Sequence, residues 1–270
     1  MKLLQEKTIR NEILKLMLKT GRGHLGGALS SVEILITLYS YFLNHNKSNY
    51  NENNRHRLIF SKGHSCMSLY AILMLKELIS KKDFYNAFTL NSLLGGHPEK
   101  HIPGVEIATG SLGHGLSIAA GIAKGYKLKK IVKKIFVILG DGELNEGSIW
   151  EAALYASKHQ LDNLYVIVDY NSIQSSGNNK NICDLEPLVK KWKSFNFYVE
   201  NTNGHKIFNI REKLIFLSKL KNKPKILICK TVKGKGLKIA ENNALWHYKR
   251  LNENEKNYIR SKLKLWEIPQ

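Results

Sequence analysis

Cysteine is scarce: the 270 residues hold three, Cys66, Cys183 and Cys229. An odd, scattered set excludes a disulfide scaffold and a cysteine-held metal, and reads as free thiols in a reducing compartment. Proline occurs five times, and no Pro- or Gly/Ser-rich linker divides the chain. No internal repeat is present. One large α/β domain over residues 1–270 is therefore expected, rather than a string of modules. No apolar run is long enough to span a bilayer. The start, Met1-Lys2-Leu3-Leu4-Gln5-Glu6-Lys7, turns charged before a signal-peptide core can form. The expectation is a cytoplasmic protein with no membrane partner.

Acidic residues are also few, 22 against 42 Lys and Arg, which leaves a net charge of +20. Such a field invites a nucleic-acid partner. The lysines, however, are spread along the whole chain, with short clusters at Lys129-Lys130, Lys133-Lys134 and Lys190-Lys191. No helix-turn-helix, zinc-finger or aromatic RNA-binding signature accompanies them. Nucleic acid is not expected as a partner. Anionic substrates or an acidic partner chain would profit from the same field.

What is present centres on Gly140-Asp141-Gly142-Glu143. The preceding run Ile135–Leu139 is continuously apolar, as in a strand buried on both faces. A helical pattern from Ser148 to His159 follows, carrying Trp150, Ala153, Leu154 and Ala156 on one side. A second apolar run, Leu164–Val168, ends at Asp169-Tyr170-Asn171-Ser172-Ile173. This is a βαβ unit with two polar clusters at the carboxyl ends of parallel strands, where open α/β sheets bind ligands. Asp141 offers a carboxylate, Asn171 an amide oxygen, and the backbone near Ile173 a carbonyl. Hard oxygens of this kind suit Mg²⁺, or another divalent cation such as Ca²⁺, shared with phosphates. The glycines let a diphosphate approach the backbone. As a turn ligand, Asp141 is expected to face the surface.

The remaining chain alternates helices and short strands, which predicts a doubly wound, mainly parallel sheet with helices on both faces. Helices are expected over 5–20, from a cap at Ser30 or Ser31, over 65–80, over 114–130, over 207–220, and from a capping box at Asn252–Glu255 to about Lys264. Strands are expected at 57–60, 197–199 and 226–229. Helix 114–130 carries small residues (Gly115, Ala119, Ala120, Gly121, Ala123) suited to close packing, either within the sheet layers or, the favoured reading, across an interface with another chain. His24, His64, His97 and His247 fall in loops, most of them beside glycines. Imidazole there can trade protons near neutral pH.

The blocks GRGHLGGALSSVEIL, SKGHSCMSLYAIL, GGHPEKHIPGVEIATGSLGHG, GDGELNEG with YNSIQ, and KTVKGKGLKIAENNALWHYK together resemble the thiamine-diphosphate domain of transketolases, over almost the whole chain. The resemblance implies that Asp141, Asn171 and the Ile173 carbonyl hold the divalent cation, and that Gly142 lies against the diphosphate. It implies that His24 and His97 contact the sugar donor and acceptor. His64 and His247 would lie by the diphosphate and the reacting carbons, and Gly110 and Leu112 along the cofactor. Glu146 matches a family glutamate near the subunit interface; otherwise it is a first-turn carboxylate favoured by the helix dipole.

Transketolases carry a second domain that binds the aminopyrimidine ring and supplies the glutamate that activates the cofactor. The residues from His247 to Gln270 are too few to form it. The resemblance therefore implies the amino-terminal subunit of a split enzyme. Its carboxy-terminal partner would bind the pyrimidine, the substrates would be sugar phosphates, and the assembly would hold two copies of each chain. Two other readings remain open. One is a different thiamine-diphosphate component, such as part of a 2-oxo acid dehydrogenase or a related synthase. The other is a non-catalytic subunit that stabilises a partner. The Gly-His pairs at 23–24 and 63–64 favour transketolase.

Overall fold

Along the apolar runs Ile135–Leu139 and Leu164–Val168, successive side chains enter two different cores, as continuous apolar strands require. Phe136, Ile138, Tyr165 and Ile167 join one core; Ile135, Val137, Leu139, Leu164, Val166 and Val168 join the other. The computed structural model describes residues 4–267, so the charged start at Met1–Leu3 lies outside the described residues. In chain order the elements begin with α1 (Glu6–Thr20), β1 (Arg22–Gly23), α2 (Leu25–Ser30), α3 (Val32–Tyr41), β2 (Arg57–Phe60), α4 (Cys66–Leu75), α5 (Lys81–Tyr85) and α6 (His114–Leu128). They continue with β3 (Ile135–Gly140), α7 (Gly147–Lys158), β4 (Leu164–Tyr170), α8 (Asn179–Ile182), α9 (Leu188–Ser194) and β5 (Tyr198–Asn203). Last come α10 (Ile207–Lys219), β6 (Lys225–Lys230), β7 (Lys249–Arg250) and α11 (Glu253–Glu267).

Five strands form a parallel sheet in the order β2-β3-β4-β6-β5. Helices α1 to α4 and α10 cover one face, and α6, α7 and α9 the other. The doubly wound sheet expected from the alternation is the sheet observed. Because all five strands run the same way, every strand-to-helix turn at their carboxyl ends opens on one edge, and the site forms there. A two-stranded antiparallel ribbon, β1 with β7, brings the segments around His24 and His247 together; no pattern in the sequence foretells it.

Several local expectations change. Gly26 and Gly27 belong to α2, so the loop after α1 ends at His24. Neither Ser30 nor Ser31 caps a helix: Ser31 Oγ donates to the Gly27 carbonyl at 3.0 Å, and Ser30 Oγ to Asp169 at 2.6 Å. Helix α4 stops at Leu75, because the chain turns left-handed at Glu77 (φ 59°). On α7 the buried side is Ile149, Ala152, Ala153 and Ala156, and Leu154 is exposed. On α6 the small side chains Gly115, Ala119, Ala120 and Ala123 are buried in the molecule's own core, with only Gly121 left open. The close-packing face thus serves α7 and β3 instead of another chain. The Asn252 box holds: Glu255 N donates to Asn252 Oδ1 and Asn252 N to Glu255 Oε2, both at 2.9 Å. Among the described residues no helix is long and apolar enough to cross a membrane.

Candidate active site

Four histidines from four separate segments meet at the carboxyl edge of the sheet. The His24 ring centroid stands 5.2 Å from His64, 5.4 Å from His247 and 6.4 Å from His97. His64 and His247 stack at 5.1 Å, and the Tyr248 ring lies 4.8 Å from His24. The turn after β2 supplies His64, the junction of α1 and α2 supplies His24, the loop before α6 supplies His97, and the segment before β7 supplies His247. Burial, then the neighbouring His97 and Lys233, bring His24 down to about 4. Burial, then Lys233, bring His247 down to about 3, and burial holds His64 well below the usual imidazole value. All three are neutral at pH 7, so each ring holds one donor and one acceptor. For His247 the tautomer follows from its partner. Lys233 Nζ lies 2.9 Å from its Nδ1, and an ammonium can only donate, so the ring proton stands on Nε2.

Beneath the histidines lies the carboxylate of Asp141, which is 3% exposed. The expectation of a surface-facing ligand is overturned, because the loops after β3 and β4 close over it. Asp141 Oδ1 accepts from Gly142 N at 2.9 Å, and Oδ2 from Asn171 N at 2.8 Å and from Ser172 N. Burial and the nearby Asp169 raise its pKa to about 6, against the pull of those amides and of Lys62. Asn171 Oδ1 accepts a long bond from Ile173 N at 3.2 Å. The Ile173 carbonyl accepts from Lys233 Nζ at 2.8 Å. Lys233 is itself buried, and burial with Lys62 nearby brings it to about 8, with Asp141 and Asp169 opposing.

These residues fit a diphosphate held through a divalent cation. The Asp141 carboxylate is buried and bonded only to backbone amides, and burial with Asp169 raises its pKa, so a divalent cation beside it would favour the charged form. Carboxylate, amide oxygen and carbonyl form an oxygen-only donor set of the kind Mg²⁺ or Ca²⁺ takes. Among the described residues, no group of three or more His, Cys, Asp or Glu side chains is placed to hold a metal ion. Beside the turn, Gln174 Nε2 is a buried donor without a partner. A Cβ on Gly142 would fall 2.8 Å from Gln174 Cβ, so the turn admits no side chain there.

Residues 4–269 match the family described as transketolase, thiamine diphosphate binding domain. This chain belongs to the transketolase family. It is 37% identical over 245 residues to an apulose-4-phosphate transketolase subunit of Phocaeicola vulgatus, covering 91% of this chain and 87% of that one. It is 35% identical over 250 residues to a 6-deoxy-6-sulfo-D-fructose transketolase subunit of a Clostridium species, covering 92% and 91%. The crystal structure of transketolase from Campylobacter jejuni superposes with a TM-score of 0.88 at 34% identity, over 96% of this chain and 42% of that one.

The transketolase fold thus brings His24, His64, His97, His247, Asp141, Asn171 and Ile173 into one site. Gly110 borders it: a Cβ there would lie 3.2 Å from the His97 ring. Gly113, next to Leu112 and left-handed (φ 86°), is tied down by Glu143, whose Oε1 accepts from Gly113 N at 2.9 Å. Glu146 is exposed at the start of α7, its side chain against Gly113, which places it outside the histidine cluster. Sequence reasoning missed three charged residues of the site. Lys62 donates to the Gly27 carbonyl at 3.1 Å and pairs with buried Asp169, which also takes Ser30 and Thr231 hydroxyls. Burial would raise Asp169, but Lys62 and those hydroxyls hold it below the ordinary value. Lys233 is the third. The signal was available: Lys62 and Lys233 each follow a strand and precede a glycine.

Proposed function

We propose that this chain is the amino-terminal subunit of a two-chain transketolase that transfers a two-carbon ketol unit from a ketose phosphate to an aldose phosphate. The observation that carries the reading is the convergence of four histidines above a buried carboxylate bonded only to backbone amides. When bound, thiamine diphosphate supplies the nucleophilic carbon and the electron sink for breaking a carbon–carbon bond beside a ketone. Asp141, Asn171 and the Ile173 carbonyl hold the divalent cation, Mg²⁺ in our reading. Gly142 and Gln174 face the diphosphate, and Gly110 and Leu112 line the cofactor. Lys233 balances phosphate charge. His64 and His247 lie between diphosphate and reacting carbons, and His247 presents its Nε2 proton there. His24 and His97 bind the sugars, and neutral His24 can pass a proton between hydroxyl and carbonyl oxygen.

The partner chain supplies the pyrimidine site and the activating glutamate. Two relatives of nearly this length are themselves named as transketolase subunits, which supports a divided enzyme. Their names refer to a sugar phosphate and a sulfo-sugar, so an anionic ketose is the donor class we favour. Exposed Ile118, Leu154 and Tyr155 on α6 and α7 offer apolar surface to such a partner, with Glu146 at its border. Residues 1–270 act as one diphosphate-binding domain, two copies pair with two partner chains, and the complex works in the cytoplasm. The test mixes this chain with a candidate pyrimidine-binding chain and follows mass by light scattering alongside sedoheptulose 7-phosphate formation. Activity requires both chains. Turnover by this chain alone, verified free of partner, contradicts the reading.

A further inference from the structure

The amino-terminal edge of the sheet carries a second charged concavity. A cavity of about 340 Å³ opens between the starts of β2, β3 and β4 and the end of α10. Lys127, Lys130, Lys133, Lys134 and Lys221 line it, and Asp162 is its one carboxylate. Asp162 is already taken by Lys127 at 3.0 Å. Among the described residues, Lys130, Lys133, Lys134 and Lys221 form no ion pair. Two further ammonium contacts crowd the floor: Lys134 Nζ and Lys225 Nζ lie 5.4 Å and 5.1 Å from the Tyr165 ring centroid. Lys225 is 1% exposed. Its pKa falls to about 8 through burial, against Asp162, with Lys221, Lys134 and Lys127 pushing the same way. Lys134 is lowered by burial and then by Lys221. His56 on the rim accepts from Lys134 N at 2.8 Å through Nδ1, so its neutral ring keeps a donor on Nε2.

Crowding like charges around one cavity costs stability unless something negative enters it. Five lysines against one carboxylate leave a net charge of +4 on the lining. A single phosphate, at about −1.5 to −2, would leave about half of that charge unmatched, whereas two or three linked phosphates would match it. The volume falls within the ~300–1,000 Å³ of small-molecule sites, and the lysines converge on a concavity instead of striping a flat face. We propose that this cavity is a binding site for a small polyphosphate anion, separate from the active site. Strands of six or seven residues put the two edges about 20 Å apart. The proposal does not depend on the reaction assigned above.

The test titrates the full chain with sodium tripolyphosphate by calorimetry in 0.15 M salt, beside the variant Lys133→Gln/Lys134→Gln/Lys221→Gln and, as a control outside the cavity, the exposed Lys190→Gln. The triple variant weakens tripolyphosphate binding at least tenfold, and Lys190→Gln leaves it within twofold. Amine labelling of the wild-type chain with acetic anhydride gives a readout that needs no variant. Tripolyphosphate protects Lys133, Lys134 and Lys221 at least threefold, and leaves the exposed Lys190 unchanged. Unaltered affinity in the triple variant, or no protection of those lysines, overturns the proposal. So does an oligonucleotide that displaces tripolyphosphate from them at equal phosphate concentration, since the surface would then be one for nucleic acid.

Discussion

Replacing Lys233 with methionine is expected to move cation and cofactor affinity in opposite directions. Its ammonium bonds to the Ile173 carbonyl at 2.8 Å, the Gln174 carbonyl at 3.3 Å and His247 Nδ1 at 2.9 Å. A divalent cation must therefore displace Lys233 from Ile173 and tolerate its charge. Without the ammonium, Mn²⁺ alone should bind about tenfold or more tightly, read by electron paramagnetic resonance. Thiamine diphosphate with saturating cation should bind less tightly, because a charge-assisted bond to phosphate is lost. At about 1.5–3 kcal/mol for such a bond, the loss is about 10- to 150-fold. The pH dependence carries the same signature. With a lowered pKa of about 8, wild-type Lys233 is about 90% neutral at pH 9, so cofactor affinity falls above pH 8 in the wild type and stays flat in the variant. The lowered value means that the unfolded chain binds the extra proton between pH 8 and 10.5, so this group's contribution to stability rises with pH across that window. Below pH 8 the buried ammonium costs about 3 kcal/mol, offset in part by its three bonds, and the variant should unfold within a few degrees of wild type. Equal cofactor affinity in both proteins at pH 7.5, or parallel pH profiles, would refute the argument.

Other expectations follow from the same geometry. His24→Ala and His97→Ala should each lower kcat/KM for sugar phosphates about 10²–10⁴-fold in the assembled enzyme, with cofactor affinity nearly unchanged; wild-type turnover in both would make them solvated loop side chains. Histidine NMR should show no titration of His24 or His247 between pH 7.5 and 5.5, since they ionise near 4 and 3, and an ordinary midpoint near 6.5 would contradict their burial. The unfolded rings take up protons first as pH falls below 6.5, so both histidines lower stability on the acid side. Lys62→Met leaves the Asp169 carboxylate buried without its counter-ion and should cost about 3–5 kcal/mol in denaturant unfolding, where a loss under about 1 kcal/mol would show the pair to be dispensable.

The sheet was legible in the sequence because its central strands are buried on both faces, and β3 and β4 are accordingly continuous apolar runs. The Asp141–Asn171 unit was legible because two polar clusters end adjacent strands. The histidines could be named but not joined. Nothing in the spacing of positions 24, 64, 97 and 247 says that they share one cavity; the family resemblance said so, and the ring distances show it. Buried lysines were the hardest to see. In a chain with 42 basic residues, Lys62 and Lys233 look like the solvated majority; a place after a strand and before a glycine is a weak mark, and their carboxylate and carbonyl partners are distant in sequence. Of the two packings open to the small residues of α6, the interface was favoured and packing within the sheet layers is the one observed. Gly115 and Ala119 let α6 approach the sheet, a close packing that a helical pattern alone cannot assign to one neighbour or another.

The central claim is that Asp141 anchors a divalent cation that holds the diphosphate of thiamine. Asp141→Asn tests it most directly, because the amide keeps an acceptor for the Asn171 and Ser172 backbone while removing the charge. Calorimetric titration of thiamine diphosphate in Mg²⁺ should show affinity at least about a hundredfold weaker in the variant, with its unfolding temperature confirming an intact fold. Unchanged cofactor affinity in a folded Asp141→Asn protein would contradict the account.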